Sequence, residues 1–177
     1  MMAYADDIAI VANSEEDLRR ALVECNGALT RWGMKVNKDK TEVMMIARER
    51  RELQIEVEGM MLRCVDSFNY LGMLITAGGE MMDEIENRIN KYSANVGQLY
   101  PILRERNIPR DVKVVIFTTI LRPILLYGAE SWTLTTKTRS KLVAAEMRVL
   151  HMIRGVSRMD RMRNADIRKD LGVEALE

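Results

Sequence analysis

Asp6 and Asp7 are the residues of this chain best placed to do chemistry. They are adjacent, and they separate two short apolar runs, Met1-Met2-Ala3-Tyr4-Ala5 and Ile8-Ala9-Ile10-Val11. Both runs have strand composition, and aspartate favours turns, so the pair is expected at the tip of a hairpin. Ionised carboxylates are hard oxygen ligands. A Mg2+ ion in a phosphoryl-transfer site is held by one or two of them together with substrate phosphates. The pair would serve equally as the polar tip of a structural hairpin, and four residues alone do not decide. Cys25 and Cys64 are too few and too far apart for a zinc site or a disulfide framework. A reducing, intracellular compartment is the default for such a chain. The single His151 sits in an apolar and basic stretch with no partner for acid–base work. The fourteen methionines read as flexible core filler rather than metal ligands.

The elements that must position the acids change style partway along the chain. Ser14 followed by Asp17 makes an N-cap, and Leu18, Ala21, Leu22, Cys25, Leu29 and Trp32 recur at helical spacing, predicting a helix over 14–32 that Gly33 ends. Strands are expected at Met34–Val36, Thr41–Ile46, Leu53–Val57, Met61–Val65 and 68–75. Polar turns fall at 37–40 and Glu58-Gly59, and a charged loop at 48–52. Ala77-Gly78-Gly79 breaks the pattern. Thereafter the period becomes about 3.6, with Ile85, Ile89, Tyr92, Val96, Leu99 and Leu103 predicting a long helix over 82–104. Pro109 can start a second helix that runs to Tyr127 with an irregularity near Pro123. Residues 128–135 read as a connection, and further helices are expected over 137–154 and 163–170. The fold class is therefore α+β, with a mixed lobe over 1–79 and an all-helical lobe over 80–177.

Composition is that of an ordinary globular protein, with 177 residues, 47% hydrophobic, 30% charged and a net charge of +1. Charge is unevenly spread. Residues 1–30 carry six acids against Arg19 and Arg20, and residues 137–169 carry ten lysines and arginines against three acids. Such asymmetry suits a metal-binding end and a polyanion-binding end. No signal peptide or localisation signal is visible, so a nuclear or cytoplasmic site is expected. The most apolar stretch, Val112 to Leu126, is interrupted by Lys113, Arg122 and Pro123 and is expected to be a buried helix rather than a membrane span.

Several stretches in order resemble the palm of reverse transcriptases of non-LTR, LINE-type retrotransposons. They are Tyr4-Ala5-Asp6-Asp7, the helix after it, Gly33-Met34-Lys35-Val36-Asn37 with Lys40-Thr41, and Phe68-x-Tyr70-Leu71-Gly72. The segments from Leu121 to Leu134, Ala145-Glu146-Met147-Arg148 and Arg158 to Asn164 are similar to the region that follows the palm in those elements. The resemblance implies RNA-directed DNA polymerisation by two Mg2+ ions, with Asp6 the main ligand and Asp7 assisting. It implies an RNA template, a DNA primer and dNTP as partners, and no membrane. Tyr4 and Ala5 would lie beside the primer end, although an aromatic strand residue facing the core explains Tyr4 as well. Lys38 or Lys40 would sit near the leaving phosphates, where a solvated turn lysine is the simpler reading. Phe68, Tyr70, Leu71 and Gly72 would form a primer-grip hairpin, with a plain core strand as the alternative for Phe68 and Leu71. Arg154, Arg158, Arg161 and Arg163, with Arg168 and Lys169, would contact the template–primer backbone, against a merely solvated helix face.

In the family a further catalytic aspartate and the fingers lie upstream of the Tyr-Ala-Asp-Asp box, and Asp39, Asp66 and Asp83 do not substitute for it. The chain is thus expected to be a palm and thumb-like portion without its N-terminal fingers and palm segment, inactive alone. An uncovered face near Tyr4–Val11 is expected to make it poorly soluble or self-associating. Competing readings are a non-catalytic nucleic-acid-binding remnant, a fragment of the group II intron maturase type, and a helical interaction domain.

Overall fold

The computed structural model describes residues 1–47, 53–57 and 59–176, without the side chains of Met60 and Arg158. The expected charged loop over 48–52 and the Glu58 half of the predicted turn lie outside the described residues. Helices and short strands coexist, as expected for an α+β chain, and the chain divides into two compact units, Met1–Glu80 and Met81–Glu177.

The first unit contains β1 (Met2–Tyr4), β2 (Asp7–Ala9), α1 (Glu15–Arg31), β3 (Glu42–Val43), β4 (Glu56–Val57), β5 (Met60–Met61), β6 (Arg63–Cys64), β7 (Ser67–Tyr70) and β8 (Met73–Thr76). Helix α1 starts where the sequence places it. The Asp17 N–H donates to Ser14 Oγ at 3.1 Å, and the Ser14 hydroxyl donates to the Asp17 carboxylate at 2.7 Å. The core residues of this unit are Val43, Leu53, Ile55, Val57 and Leu62, with Leu18 and Leu22 of α1 packed against them. Leu53, Ile55 and Val57 are buried while Gln54 and Glu56 are exposed, which is the period-two pattern of the sequence turned into a core. Arg19 of α1 donates to the Gln54 carbonyl and ties the helix to that run.

The sheet is more broken than its residues suggest. Among the described residues four two-stranded ladders form, β1–β2, β3–β6, β4–β5 and β7–β8, and β3–β6 is parallel. Met34–Val36 forms no strand, and Thr41–Ile46 and Leu53–Val57 are laddered only at Glu42–Val43 and Glu56–Val57. Residues 68–75, expected to continue the sheet, fold back on themselves as β7–β8. Propensity marked these runs as extended, but pairing needs neighbours, and these ladders are too short to recruit a third strand.

The second unit contains α2 (Met81–Arg104), α3 (Arg110–Ile116), α4 (Arg122–Leu126), α5 (Thr136–Arg154) and α6 (Asn164–Leu171). Its core joins Ile85, Tyr92, Val96 and Leu103 of α2 to Phe117, Leu121 and Leu125, to Leu142, Val149 and Leu150 of α5, and to Ile167 of α6. The irregularity near Pro123 is a π turn over Phe117–Leu121, in which the Arg122 N–H reaches back to the Phe117 carbonyl. Proline has no N–H and its ring crowds the carbonyl four residues earlier, so the helix widens one turn ahead of it. The helical stretch Arg110–Ser131, which extends the apolar run Val112–Leu126 at both ends, is at 22 residues long and apolar enough to cross a membrane by length and composition. One face of it, Phe117, Leu121 and Leu125, is built into the core, while Val112, Val115 and Ile120 remain exposed.

An acid sits at the centre of that core. Glu146 is fully buried and pairs with Arg168 at 2.5 Å and with Arg122 at 3.7 Å. Arg122 also donates to the Glu174 carbonyl at 2.9 Å, so the cluster ties α4, α5 and α6 to the chain beyond α6. Burial, with the nearby Glu146 charge, pushes the Tyr92 hydroxyl up, against the opposing pull of Arg148. A second buried pair, Glu84–Arg88 at 2.5 Å, places the Arg88 guanidinium 4.6 Å from the centre of the Tyr127 ring. Removing one partner of a buried pair leaves the other uncompensated. Glu146→Ala is therefore expected to destabilise the helical unit by about 3–5 kcal/mol. Denaturant melts followed at Trp132 measure this, and a loss below about 1 kcal/mol would contradict the role given to Glu146.

Candidate functional site

The β1–β2 hairpin pairs Met2 with Ala9, Ala3 with Ile8 and Tyr4 with Asp7, so its turn is the two residues Ala5-Asp6. Asp7 thus begins a strand while Asp6 belongs to the turn. A two-residue connection that matches strand twist needs a positive φ, and Ala5 takes it at 53°. For a residue with a Cβ that conformation is costly, of order 1–3 kcal/mol. Residues 1–8 are all exposed, Tyr4 at 69%, which rules out the core-facing alternative for this tyrosine within its unit. Both carboxylates therefore face water and offer oxygens to a cation. Two carboxylates meet the minimum for Mg2+ held jointly with substrate phosphates. Among the described residues no group of three His, Cys, Asp or Glu side chains could hold a metal ion.

Lys38 and Lys40 lie on a turn organised by Asn37. The Asn37 side-chain oxygen accepts from the N–H groups of Asp39 (3.1 Å) and Lys40 (3.3 Å), and its carbonyl accepts from Thr41 N–H (3.0 Å) and hydroxyl (2.8 Å). Lys40 is exposed and Lys38 half-buried. Phe68, Tyr70, Leu71 and Gly72 belong to the β7–β8 hairpin, in which Tyr70 pairs with Met73 and Leu71-Gly72 form the turn. Both turn residues have positive φ, 48° and 79°, as a type I′ turn requires. Glycine meets that demand without strain and leucine does not. Leu71 is at the apex and 38% exposed, so it is not the core strand residue that was the alternative, whereas Phe68 and Tyr70 are half-buried. The acids, the lysine turn and this hairpin all lie in the first unit, but among the described residues no common sheet joins them.

The basic residues lie in the second unit, and their surroundings differ. Arg154 pairs with Asp170, which Arg110 also approaches at 3.7 Å, and Arg168 is committed to Glu146. Arg161, Arg163 and Lys169 are exposed and make no ion pair among the described residues. The side chain of Arg158 lies outside the described residues. Sequence reasoning missed the inward role of Glu146 and Arg168. The signal was present, because Glu146 falls on the apolar stripe of Leu142, Ala145 and Val149. His151 is half-buried with Nδ1 2.6 Å from the Met147 carbonyl, a packing role.

An acid pair at the turn of an antiparallel hairpin is followed by α1 and, further on, by the β7–β8 hairpin. Residues 1–75 match the family model described as reverse transcriptase (RNA-dependent DNA polymerase). The chain is 27% identical to a transposon-derived protein of Caenorhabditis elegans over 85% of its own length and 53% of that protein's. It is 25% identical to a retrovirus-related Pol polyprotein of the type-1 retrotransposable element R1 of Nasonia vitripennis, covering 73% of the chain and 38% of the relative. It is also 25% identical to the RNA-directed DNA polymerase from mobile element jockey of Drosophila melanogaster, covering 98% of the chain and 20% of the relative. No solved structure matches. The chain is similar to non-LTR retrotransposon proteins along most of its length, and its first 75 residues match the reverse transcriptase family. It spans about half the length of the curated relatives it matches, or less.

Two measurements probe the hairpins. Leu71→Gly is expected to raise stability slightly, by up to about 1 kcal/mol, since relief of the positive-φ strain outweighs the added freedom of the unfolded chain. A loss of that size would show that the Leu71 side chain is held by its neighbours. A two-stranded ladder with no buried residue is marginal in water, so amides 2–9 should exchange with solvent orders of magnitude faster than those of α2 and α5. Equal protection would mean that the hairpin is covered.

Proposed function

We propose that this chain is the part of an RNA-directed DNA polymerase that carries the second half of its metal site and the surfaces that hold the primer–template. In this reading residues 1–79 are palm and residues 80–177 a thumb-like lobe. The observation that carries it is the Tyr4-Ala5-Asp6-Asp7 turn, two exposed carboxylates on a strained hairpin within the segment matching the reverse transcriptase family.

In the complete enzyme Asp6 and Asp7 would hold Mg2+, whose chemistry is to stabilise the attacking 3′-oxygen and the leaving pyrophosphate oxygen of an in-line displacement. Their own contribution is negative charge presented where the turn enters β2. Ala5, with only a methyl side chain, leaves room for the primer end, and Tyr4 lies exposed beside it. Lys38 or Lys40 would counter charge on the leaving phosphates. The Leu71-Gly72 apex would lie against the primer backbone, where glycine permits close approach. RNA template, DNA primer and dNTP are the implied partners, and the work would be nuclear or cytoplasmic.

Two carboxylates bind a hard cation weakly and leave a two-ion site short of ligands. The exposed β1–β2 ladder and the much greater length of the relatives support a further segment that covers the hairpin and adds a carboxylate. Alone, the chain is a nucleic-acid-binding module without turnover. The expected outcome is no template-directed dNTP incorporation by the purified 177-residue chain with Mg2+ or Mn2+. Incorporation lost on Asp6→Ala would show that the two carboxylates suffice.

A further inference from the structure

Within the helical stretch Arg110–Ser131, residues 112–129 turn their charge inward and their apolar side chains outward. The charged residues of that run are Lys113 and Arg122. Lys113 is buried, with Nζ donating to the Glu105 carbonyl at 2.5 Å, and Arg122 is half-buried against Glu146 and the Glu174 carbonyl. Outside, Val112, Val115, Ile120 and Tyr127 are 44–57% exposed, and Thr118, Thr119 and Pro123 are exposed among them. The threonines add little polarity. The Thr118 hydroxyl donates to the Val114 carbonyl at 2.9 Å and the Thr119 hydroxyl to the Val115 carbonyl at 2.7 Å, so neither depends on water. Apolar residues scattered singly on a surface need no explanation, but a continuous uncharged face marks an interaction site.

The face reads alike in both directions. Val112 and Tyr127, Val115 and Ile124, and Ile116 and Pro123 each lie equally far from the step between Thr119 and Ile120. None of the six is charged and none is fully buried. We propose that this face is the interface of a homodimer, in which a second copy lies antiparallel across a two-fold axis at the Thr119–Ile120 step. Each of the six then meets an uncharged residue of the partner, as a self-complementary two-fold contact requires. A chain of net charge +1 adds almost no repulsion between copies. A lipid surface fits less well, because helices that lie on bilayers flank their apolar face with outward lysine and arginine, and here both turn inward. The face spans about 22 Å at a rise of about 1.5 Å per residue. Stable interfaces of standard size take about 800 Å2 from each partner. One helix face supplies less, so the dimer is a weak one, in the micromolar range. It lies in the helical unit, apart from the hairpin of the first unit, and goes beyond the polymerase reading without resting on it.

The test is sedimentation equilibrium of the full chain from low micromolar to several hundred micromolar. Thr119→Glu and Thr119→Lys are each expected to weaken the dimer by about ten-fold or more, because like charges then meet across the axis. An equimolar mixture of the two is expected to restore it, since opposite charges now face each other. Denaturant melts check that each variant is folded, and Val115→Glu takes its place where one is not. Met2→Ser with Ile8→Ser, which strips apolar surface from the β1–β2 hairpin, should leave the dimer unchanged. A wild-type chain that stays monomeric overturns the proposal, as does a dimer that survives Thr119→Glu or is lost with the hairpin variant. Failure of the mixture to restore the dimer overturns it too. So does a monomeric chain that floats with phosphatidylcholine vesicles, which would assign the face to lipid. None of these outcomes bears on the polymerase reading.

Discussion

The hairpin turn between Tyr4 and Asp7 sets the terms for the first unit. Only two residues close it, so one must accept a positive φ, and the position falls to alanine rather than glycine. The result is a fixed step from turn to strand across which Asp6 and Asp7 are presented. Adjacent carboxylates repel, and a fold that keeps them adjacent and exposed forgoes any stabilisation from pairing them with lysine or arginine. A positive partner is left to come from solution. Among the described residues the non-glycine residues with positive φ, Ala5, Leu71 and Arg161, sit in segments with a functional reading: the acid turn, the β7–β8 hairpin and the basic turn.

The two units handle charge in opposite ways. In the first, the core is small and wholly apolar, and the acids lie outside it on a ladder that contributes no buried residue. In the second, a buried carboxylate organises the core. Glu146 draws in Arg122 and Arg168, and Glu84 draws in Arg88. This internal pairing matters for the surface, because it withdraws several arginines from the reach of a polyanion and leaves the rest concentrated. Net basicity of the C-terminal half therefore overstates what is open to phosphate.

Helices were legible in the sequence to within a residue or two, because capping and periodicity are local signals. Ser14 caps α1 where its chemistry says, and the structure adds Thr135 capping the start of α5 and Gly155, at φ 76°, ending it. The strands were legible as extended segments but not as a sheet. Whether Leu53–Val57 pairs along its length depends on partners distant in the chain, and no local pattern carries that. The acids were legible from their neighbours, since Tyr4-Ala5-Asp6-Asp7 acquires meaning only from the ordered stretches behind it. Glu146 was hidden because an acid on an apolar stripe looks like an interruption until two arginines from other helices are seen to meet it.

The proposed function turns on whether Asp6 and Asp7 form part of a cation site. Paramagnetic broadening by Mn2+ of the backbone amide resonances tests it directly. The account predicts broadening centred on 5–8 at submillimolar to millimolar Mn2+, abolished in the Asp6→Asn, Asp7→Asn chain. Broadening that is absent, or that follows the acids of the first turn of α1, Glu15, Glu16 and Asp17, equally in both chains, would contradict it.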